Sequence, residues 1–284
     1  MSTQASQDRR SSLHDVLNSH ISRWPGRGAA WATHAGDISA GAGAVNEIFE
    51  WASVTKLLVA VACWVAVEEG SLAFEGAAGP EGSTLGHLLA HASGLPFEGN
   101  SPVAPPAKRR IYSNIGIETA AAQLCSRTGM AFGDYLRAGV LEPLGMTATV
   151  LAGSPAHGAK GPLEDLARLA AELLSPSLIS AGTWRTAVST AWPELAGVLP
   201  GFGRQTPCEW GLGPEIRGHK YPHWTGARNS ASTFGHFGQS GAFLWVDPVA
   251  GIALAGLSSE PFGEWAKKAW PALSDEVLTL LAGP

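Results

Sequence analysis

Ser53-Val54-Thr55-Lys56-Leu57-Leu58-Val59-Ala60-Val61-Ala62-Cys63-Trp64-Val65-Ala66-Val67 is the stretch on which the reading of this chain turns. From Leu57 to Val67 no residue is polar, so no period leaves a wet face, and a helix here is buried on all sides. Ser53 stands at the predicted helix start, where its hydroxyl meets backbone N–H groups that lack intrahelical partners. Lys56 follows three residues later, about one turn on and on the same face. A lysine entering a buried helix is costly unless its charge finds partners or its pKa falls. A lysine so treated can serve as a base next to a serine nucleophile. The plainer alternative is an N-capping serine followed by a lysine on a wet helix end. S-x-x-K alone does not decide between them.

Composition narrows the classes. A chain of 284 residues that is 45% hydrophobic can bury one large core or two closely joined ones. Charged residues make up 15%, with 35 Gly and 19 Pro, a composition of many turns. A formal charge of −5 offers no electrostatic reason to expect nucleic acid or an anionic membrane as partner, and no basic cluster exceeds Lys108-Arg109-Arg110. The stretch from Met1 to His20 is polar and lacks the apolar core of a signal peptide, and the Leu57–Val67 run is too short to cross a bilayer. Cys63, Cys125 and Cys208 are far apart and odd in number, which points to reduced thiols and the cytoplasm.

Along the chain, Leu13, Val16, Leu17 and Ile21 have helical spacing between Ser11 and Trp24, with Pro25 as the stop. Two strands are predicted over 28–34 and 38–45, turned by Ala35-Gly36-Asp37. The Ser53 helix is expected to end at Glu69-Gly70. Helices are predicted over 84–91, 116–126, 131–141 and 163–174, and the stretch 192–206 reads as loop. Strand patterns return over 208–216, 233–238, 242–246 and 252–257, with Asp247-Pro248 as a turn, before a closing helix over 262–281. Strand-forming sequence thus lies at both ends and helical sequence between. The simplest architecture is α/β: an antiparallel sheet from residues 1–75 and 201–284 flanked by helices, with a helical insertion at 76–200 and a cleft between.

Two further segments strengthen the first signal. Tyr112-Ser113-Asn114 offers a phenol and a carboxamide two residues apart before a helix. His236-Phe237-Gly238 lies in a glycine-flanked strand, where missing side chains let a substrate approach the backbone. With Ser53-x-x-Lys56, these elements in this order resemble the serine β-lactamase and penicillin-binding-protein superfamily. The Tyr-Ser-Asn form is most similar to its branch of class C β-lactamases, DD-carboxypeptidases and family VIII esterases. Leu88-Leu89-Ala90-His91-Ala92-Ser93-Gly94-Leu95-Pro96, Pro143-Leu144-Gly145-Met146, Asp165-Leu166-Ala167-Arg168 and Trp245-Val246-Asp247-Pro248 resemble further segments of that branch. The likeness covers about residues 45–260.

The resemblance implies a β-lactamase/transpeptidase-like fold and a role for each motif residue. Ser53 would attack an acyl carbonyl and carry an acyl-enzyme. Lys56 and Tyr112 would share the proton transfers, with the choice of base left open. Asn114 would hold Lys56 and contact the substrate, as would His236 and Gly238 along the strand. The backbone N–H groups of Ser53 and Gln239 would form the oxyanion hole. No metal or organic cofactor is implied, and the expected partner is a small ester, amide or lactam. Taken singly, Tyr112 fits a buried core phenol, Asn114 a helix cap and His236 a hydrogen-bonded strand histidine.

The third motif departs from the pattern. Where β-lactamases and many peptidases have Lys-Thr-Gly, this chain has His236-Phe237-Gly238, which lacks the threonine hydroxyl and offers only a weaker, pH-dependent charge. That argues against strong recognition of an anionic β-lactam or a peptide C-terminus and favours a neutral ester or amide. No glutamate for a class A style deacylating water is evident, and the short chain suggests trimmed loops and an open cleft. The expected activity is therefore a carboxylesterase or amidase. A DD-peptidase or weak β-lactamase is the alternative within the class, and a non-catalytic binding module the alternative outside it.

Other signals carry less. Gly238-Gln239-Ser240-Gly241 misses the last glycine of a nucleophile elbow. His87 and His91 have the spacing of a metal pair but no third ligand, and a structural role is favoured. His219 and His223 share that spacing, with Pro222 against a helix. Gly41-Ala42-Gly43 is an incomplete dinucleotide motif. Trp51, Trp210 and Trp224 are candidates to line an aromatic acyl pocket.

Overall fold

The computed structural model describes residues 3–282 apart from Gly36 and Asn100. In chain order the first elements are α1 (Thr3–Ile21), β1 (Gly28–His34), β2 (Ile38–Gly43), β3 (Phe49–Glu50), α2 (Thr55–Glu68), α3 (Leu85–Leu89), α4 (Asn114–Thr128) and α5 (Phe132–Leu136). There follow β4 (Val150–Leu151), β5 (Ala159–Gly161), α6 (Leu163–Leu174), α7 (Ala181–Ala187), β6 (Gly197–Leu199) and β7 (Gly203–Gln205). The chain closes with β8 (Glu215–Ile216), β9 (Phe234–Phe237), β10 (Phe243–Asp247), β11 (Ile252–Ser258) and α8 (Glu264–Ala282).

Six strands form one antiparallel sheet in the order β2-β1-β11-β10-β9-β8, so the two ends of the chain meet where β1 pairs with β11. Every residue of β11 is buried, because both faces of the sheet are covered. Ile252 and Leu254 face a core with Leu13, Leu17, Trp270 and Val277 from α1 and α8, while Ala253, Ala255 and Leu257 face a core with residues of α2 and α6. The period of two therefore survives as a choice between two cores. Helix α2 is buried from Thr55 through Ala66, as its unbroken apolar run requires.

Small sheets complete the frame. β3, β5 and β4 form one, and Trp51 N–H donates to Ala159 O at 2.9 Å while Ala159 N–H donates to Thr55 Oγ1 at 3.0 Å. The chain entering α2 is thereby tied to the chain leaving residue 156. β6 and β7 form a hairpin inside the stretch predicted to be loop, a correction. Its prolines and glycines hide a pairing that one edge residue anchors, since Arg110 N–H donates to Ala196 O.

Several boundaries also move. α1 starts eight residues before the predicted Ser11, through a polar stretch with no apolar stripe. The strand predicted over 208–216 shrinks to β8, because Gly211 N–H donates to Pro214 O and folds Trp210 back against Glu215. The helix predicted over 131–141 divides into α5 and a turn of π-helix at Arg137–Leu141. The predicted turn at Ala35-Gly36-Asp37 includes Gly36, which lies outside the described residues.

Candidate active site

Ser53 occupies a turn of 3-10 helix, Ala52–Val54, that precedes α2 rather than beginning it. Ala52 has φ of +42°, a left-handed conformation that is costly for a residue with a Cβ. The helix is capped by Val54 with no side-chain hydrogen bond, so Ser53 is not the N-cap that the sequence suggested. Its hydroxyl instead meets Lys56, whose Nζ lies 3.0 Å from Ser53 Oγ. Lys56 is fully buried, and Nζ also donates to Asn114 Oδ1 at 2.8 Å and Ala156 O at 2.9 Å. Burial pulls its pKa down to about 7, against the opposing field of Glu118. A neutral amine held by two fixed acceptors keeps its lone pair for the third neighbour, the Ser53 hydroxyl.

The segment Tyr112-Ser113-Asn114 divides its work by residue. Ser113 is the N-cap of α4, accepting from Gly116 N–H at 2.8 Å, so the capping role weighed for Asn114 belongs to its neighbour. Asn114 is thereby free to face Lys56 from the first turn. Ser113 N–H donates to His91 Nδ1 at 3.1 Å, which fixes the imidazole as an Nδ1 acceptor. The His91 ring lies 4.7 Å from the Tyr112 ring and 4.9 Å from Trp210, and burial holds its pKa well below the usual histidine value. Lys56 Nζ lies 4.8 Å from the Tyr112 ring centre. Burial raises the Tyr112 phenol, with a hydrogen bond to Ser53 acting the other way.

Gly238 closes the site from the end of β9. A Cβ there would lie 2.4 Å from Trp51 O, 3.0 Å from Ala52 Cβ and 3.1 Å from Ser53 N. Only glycine lets the strand end abut the serine turn so closely. His236 Nδ1 lies 2.6 Å from Phe237 O and, as donor to that carbonyl, leaves Nε2 as a buried acceptor without a hydrogen-bond partner among the described residues. Burial and the nearby Lys56 bring its pKa down to about 3, so His236 is neutral near pH 7. The pH-dependent charge expected of this histidine is absent for that reason. Ser240, the residue of the incomplete elbow, is committed to Glu50 O at 2.7 Å.

Ser53, Tyr112, His236, Phe237 and Gln239 share a cavity of about 710 Å³ walled by Trp210, Leu199, Ile111 and the β6–β7 hairpin. Of the three tryptophans considered for this pocket, only Trp210 lines it. Trp51 is buried and donates to Gly161 O, and Trp224 is buried and donates to Glu215 Oε2. His87 completes a capping box with Thr84 and stacks on Trp192, while His223 faces Glu215.

Three contributors were not found by reading motifs. Glu118 lies one turn beyond Asn114 on α4 and accepts from Ser154 Oγ at 2.5 Å, while Ser154 Oγ accepts from Ala156 N–H. This chain sets the carbonyl that holds Lys56, and the i,i+4 spacing from Asn114 is the signal that could have flagged Glu118. The Ala156 carbonyl is backbone and has no signature. Arg110 is buried and donates to the carbonyls of Cys208, Ala90, Ala191 and Trp192, pinning the strand that delivers Tyr112.

Residues 26–278 match the Beta-lactamase family. The chain belongs to that family of β-lactamase-fold serine hydrolases. Among solved structures it is 47% identical to a β-lactamase (Mb2281c) from Mycobacterium bovis, with a TM-score of 0.91 over 93% of this chain and 98% of the other. EstCE1, described as a hydrolase with promiscuous acyltransferase activity, shares the fold at 15% identity and a TM-score of 0.75, over 97% of this chain and 100% of its own. Among curated proteins, a penicillin-binding protein of Bacillus subtilis is 27% identical over 137 residues. That match spans 37% of this chain and 30% of the relative.

Proposed function

We propose that this chain is a carboxylesterase that works through an acyl-Ser53 intermediate. The observation that carries the reading is the buried Lys56, poised near neutrality and 3.0 Å from Ser53 Oγ with its other contacts fixed. In the proposed cycle neutral Lys56 takes the Ser53 proton as Oγ attacks the ester carbonyl carbon. The backbone N–H groups of Ser53 and Gln239 receive the charge that develops on the carbonyl oxygen. As the tetrahedral adduct collapses, the proton passes by way of Tyr112 to the departing alkoxide. Water then repeats the sequence on the acyl-enzyme and returns the acid. Tyr112 acts as a neutral phenol throughout, consistent with its raised pKa. The same reading sets the site in the cleft between residues 1–75 and 201–284 on one side and 76–200 on the other. It also keeps the cytoplasmic expectation, drawn from three unpaired cysteines; among the described residues no helix is long and apolar enough to cross a membrane.

The ester preference rests on the third motif. Neutral His236 and apolar Phe237 give the third motif neither the cation nor the hydroxyl that Lys-Thr-Gly would offer the carboxylate of a β-lactam. β-Lactam hydrolysis is the second reading, favoured by the name of the Mycobacterium bovis relative. Steady-state and burst kinetics with p-nitrophenyl butyrate and nitrocefin separate the two. Faster acylation by the ester, with an alcohol burst equal to the enzyme concentration, is expected. Faster nitrocefin turnover would move the assignment to a β-lactamase, and no reaction with either would favour a binding module.

A further inference from the structure

The cavity beside Ser53 is lined by three arginines, Arg109, Arg110 and Arg204, and by one carboxylate, Glu215. That single carboxylate is already matched. Lys220 Nζ lies 2.8 Å from Glu215 Oε1, while His223 Nε2 and Trp224 Nε1 each lie 3.0 Å from Oε2. Although its burial opposes ionisation, those partners bring its pKa down to about 2, so it stays a paired anion. Arg110 spends its donors on backbone carbonyls, and the Glu209 carboxylate close by supports its charge. Arg109 and Arg204 are exposed, and among the described residues neither forms an ion pair with a carboxylate. In a chain of formal charge −5, the cavity is thus locally positive. A low-dielectric cleft of one sign concentrates ligands of the other.

The placement of these charges is specific. Arg109 sits three residues before Tyr112 on the segment that the Arg110–Ala196 hydrogen bond ties to the hairpin. Arg204 faces Val198 directly across that hairpin, and cross-strand partners share one face. Val198 is 58% exposed and Phe97 48%, so the cations stand among apolar side chains at the mouth. Deeper in, Trp210, Leu199, Ile111 and Phe237 offer apolar walls, and neutral His236 offers no charge. The cavity therefore runs from a reaction centre where the third motif is neutral to a rim that carries Arg109 and Arg204.

We propose that the natural substrate is an ester with an apolar body and a carboxylate remote from the scissile bond, held at the rim by Arg109 and Arg204. The inference rests on the esterase reading and names its substrate class. It also differs from family-type recognition of a carboxylate next to the reacting carbonyl, which the third motif does not support.

Binding to the Ser53→Ala protein tests this apart from turnover. The probes are monomethyl adipate, with its carboxylate on the acyl side, and 4-butyryloxybutyrate, with its carboxylate on the alcohol side, each compared with its neutral methyl ester by calorimetry. At least one acid should bind about tenfold more tightly than its methyl ester at low ionic strength, and the ratio should fall as salt shortens the Debye length. In Arg109→Gln/Arg204→Gln on the same background the ratio should drop to about one. Equal affinities of acid and methyl ester for both probes, or a preference that survives the double substitution, would overturn the proposal. If the carboxylates bind as expected but wild-type protein hydrolyses no ester, the esterase reading fails and the anion site stands.

Discussion

Lys56 Nζ lies 3.0 Å from Ser53 Oγ, and its remaining acceptors come from residues 58 and 100 positions away in the chain. The geometry of two residues within one helical turn is therefore enforced by α4 and by the segment entering β5. Desolvating the lysine costs free energy that the rest of the fold offsets, and in return the amine titrates near neutrality.

The acid limb of kcat/KM should follow Lys56. The amine must be neutral to accept the serine proton, so activity should rise with pH through about 7. Glu118 favours the ammonium form, so Glu118→Gln should lower the Lys56 pKa and shift this limb to lower pH. A pH–rate profile of both proteins checks the sign. An unmoved or upward-shifted limb would remove Glu118 from the electrostatics of Lys56.

Lys56→Ala and Tyr112→Phe should each slow acylation by at least about a hundredfold, the scale of a positioned acid or base. Stopped-flow measurement of the alcohol burst reads this step directly. Near-wild-type bursts in both variants would contradict the proton relay.

Gly238→Ala places a methyl 2.4 Å from Trp51 O and 3.1 Å from Ser53 N, so the strand end and the serine turn must separate. Displacements of about 1 Å at a reacting centre cost roughly a hundredfold in rate. We expect such a loss in kcat, accompanied by about 1–3 kcal/mol of destabilisation from overpacking. Kinetics paired with urea melts will separate the two effects.

Arg110→Gln should be the most destabilising of these changes. It strips donors from buried carbonyls on several segments, each costing about 1–3 kcal/mol when left unpaired. A loss of about 3 kcal/mol or more is expected in chemical denaturation. Arg110→Lys should recover little of it, since an ammonium lacks the planar fork that reaches several acceptors.

Much of this site was legible in the sequence because its chemistry is concentrated in side chains with fixed spacing. Ser53 and Lys56 share a face, Tyr112 and Asn114 flank a cap, and Gly238 marks a close backbone approach. The sheet from both chain ends was likewise written in the alternation and apolar runs of β1, β10 and β11. What escaped was of another kind. Ala156 acts through a carbonyl that any residue possesses, and nothing in the basic cluster Lys108-Arg109-Arg110 marks Arg110 as its buried member. The β6–β7 hairpin is three residues a side and set among glycines and prolines, too short for a period to emerge. Ser53 looked like a helix cap because sequence places a helix start only within a few residues, whereas the 3-10 turn shifts it by two.

The central claim is that Ser53 is an activated nucleophile, and fluorophosphonate labelling followed by mass-spectrometric mapping of the modified peptide tests it most directly. Modification at Ser53, absent from the Ser53→Ala protein and strongly slowed in Lys56→Ala, is the predicted result. A label on Ser240, or none on Ser53 in folded protein that still hydrolyses esters, would contradict the account.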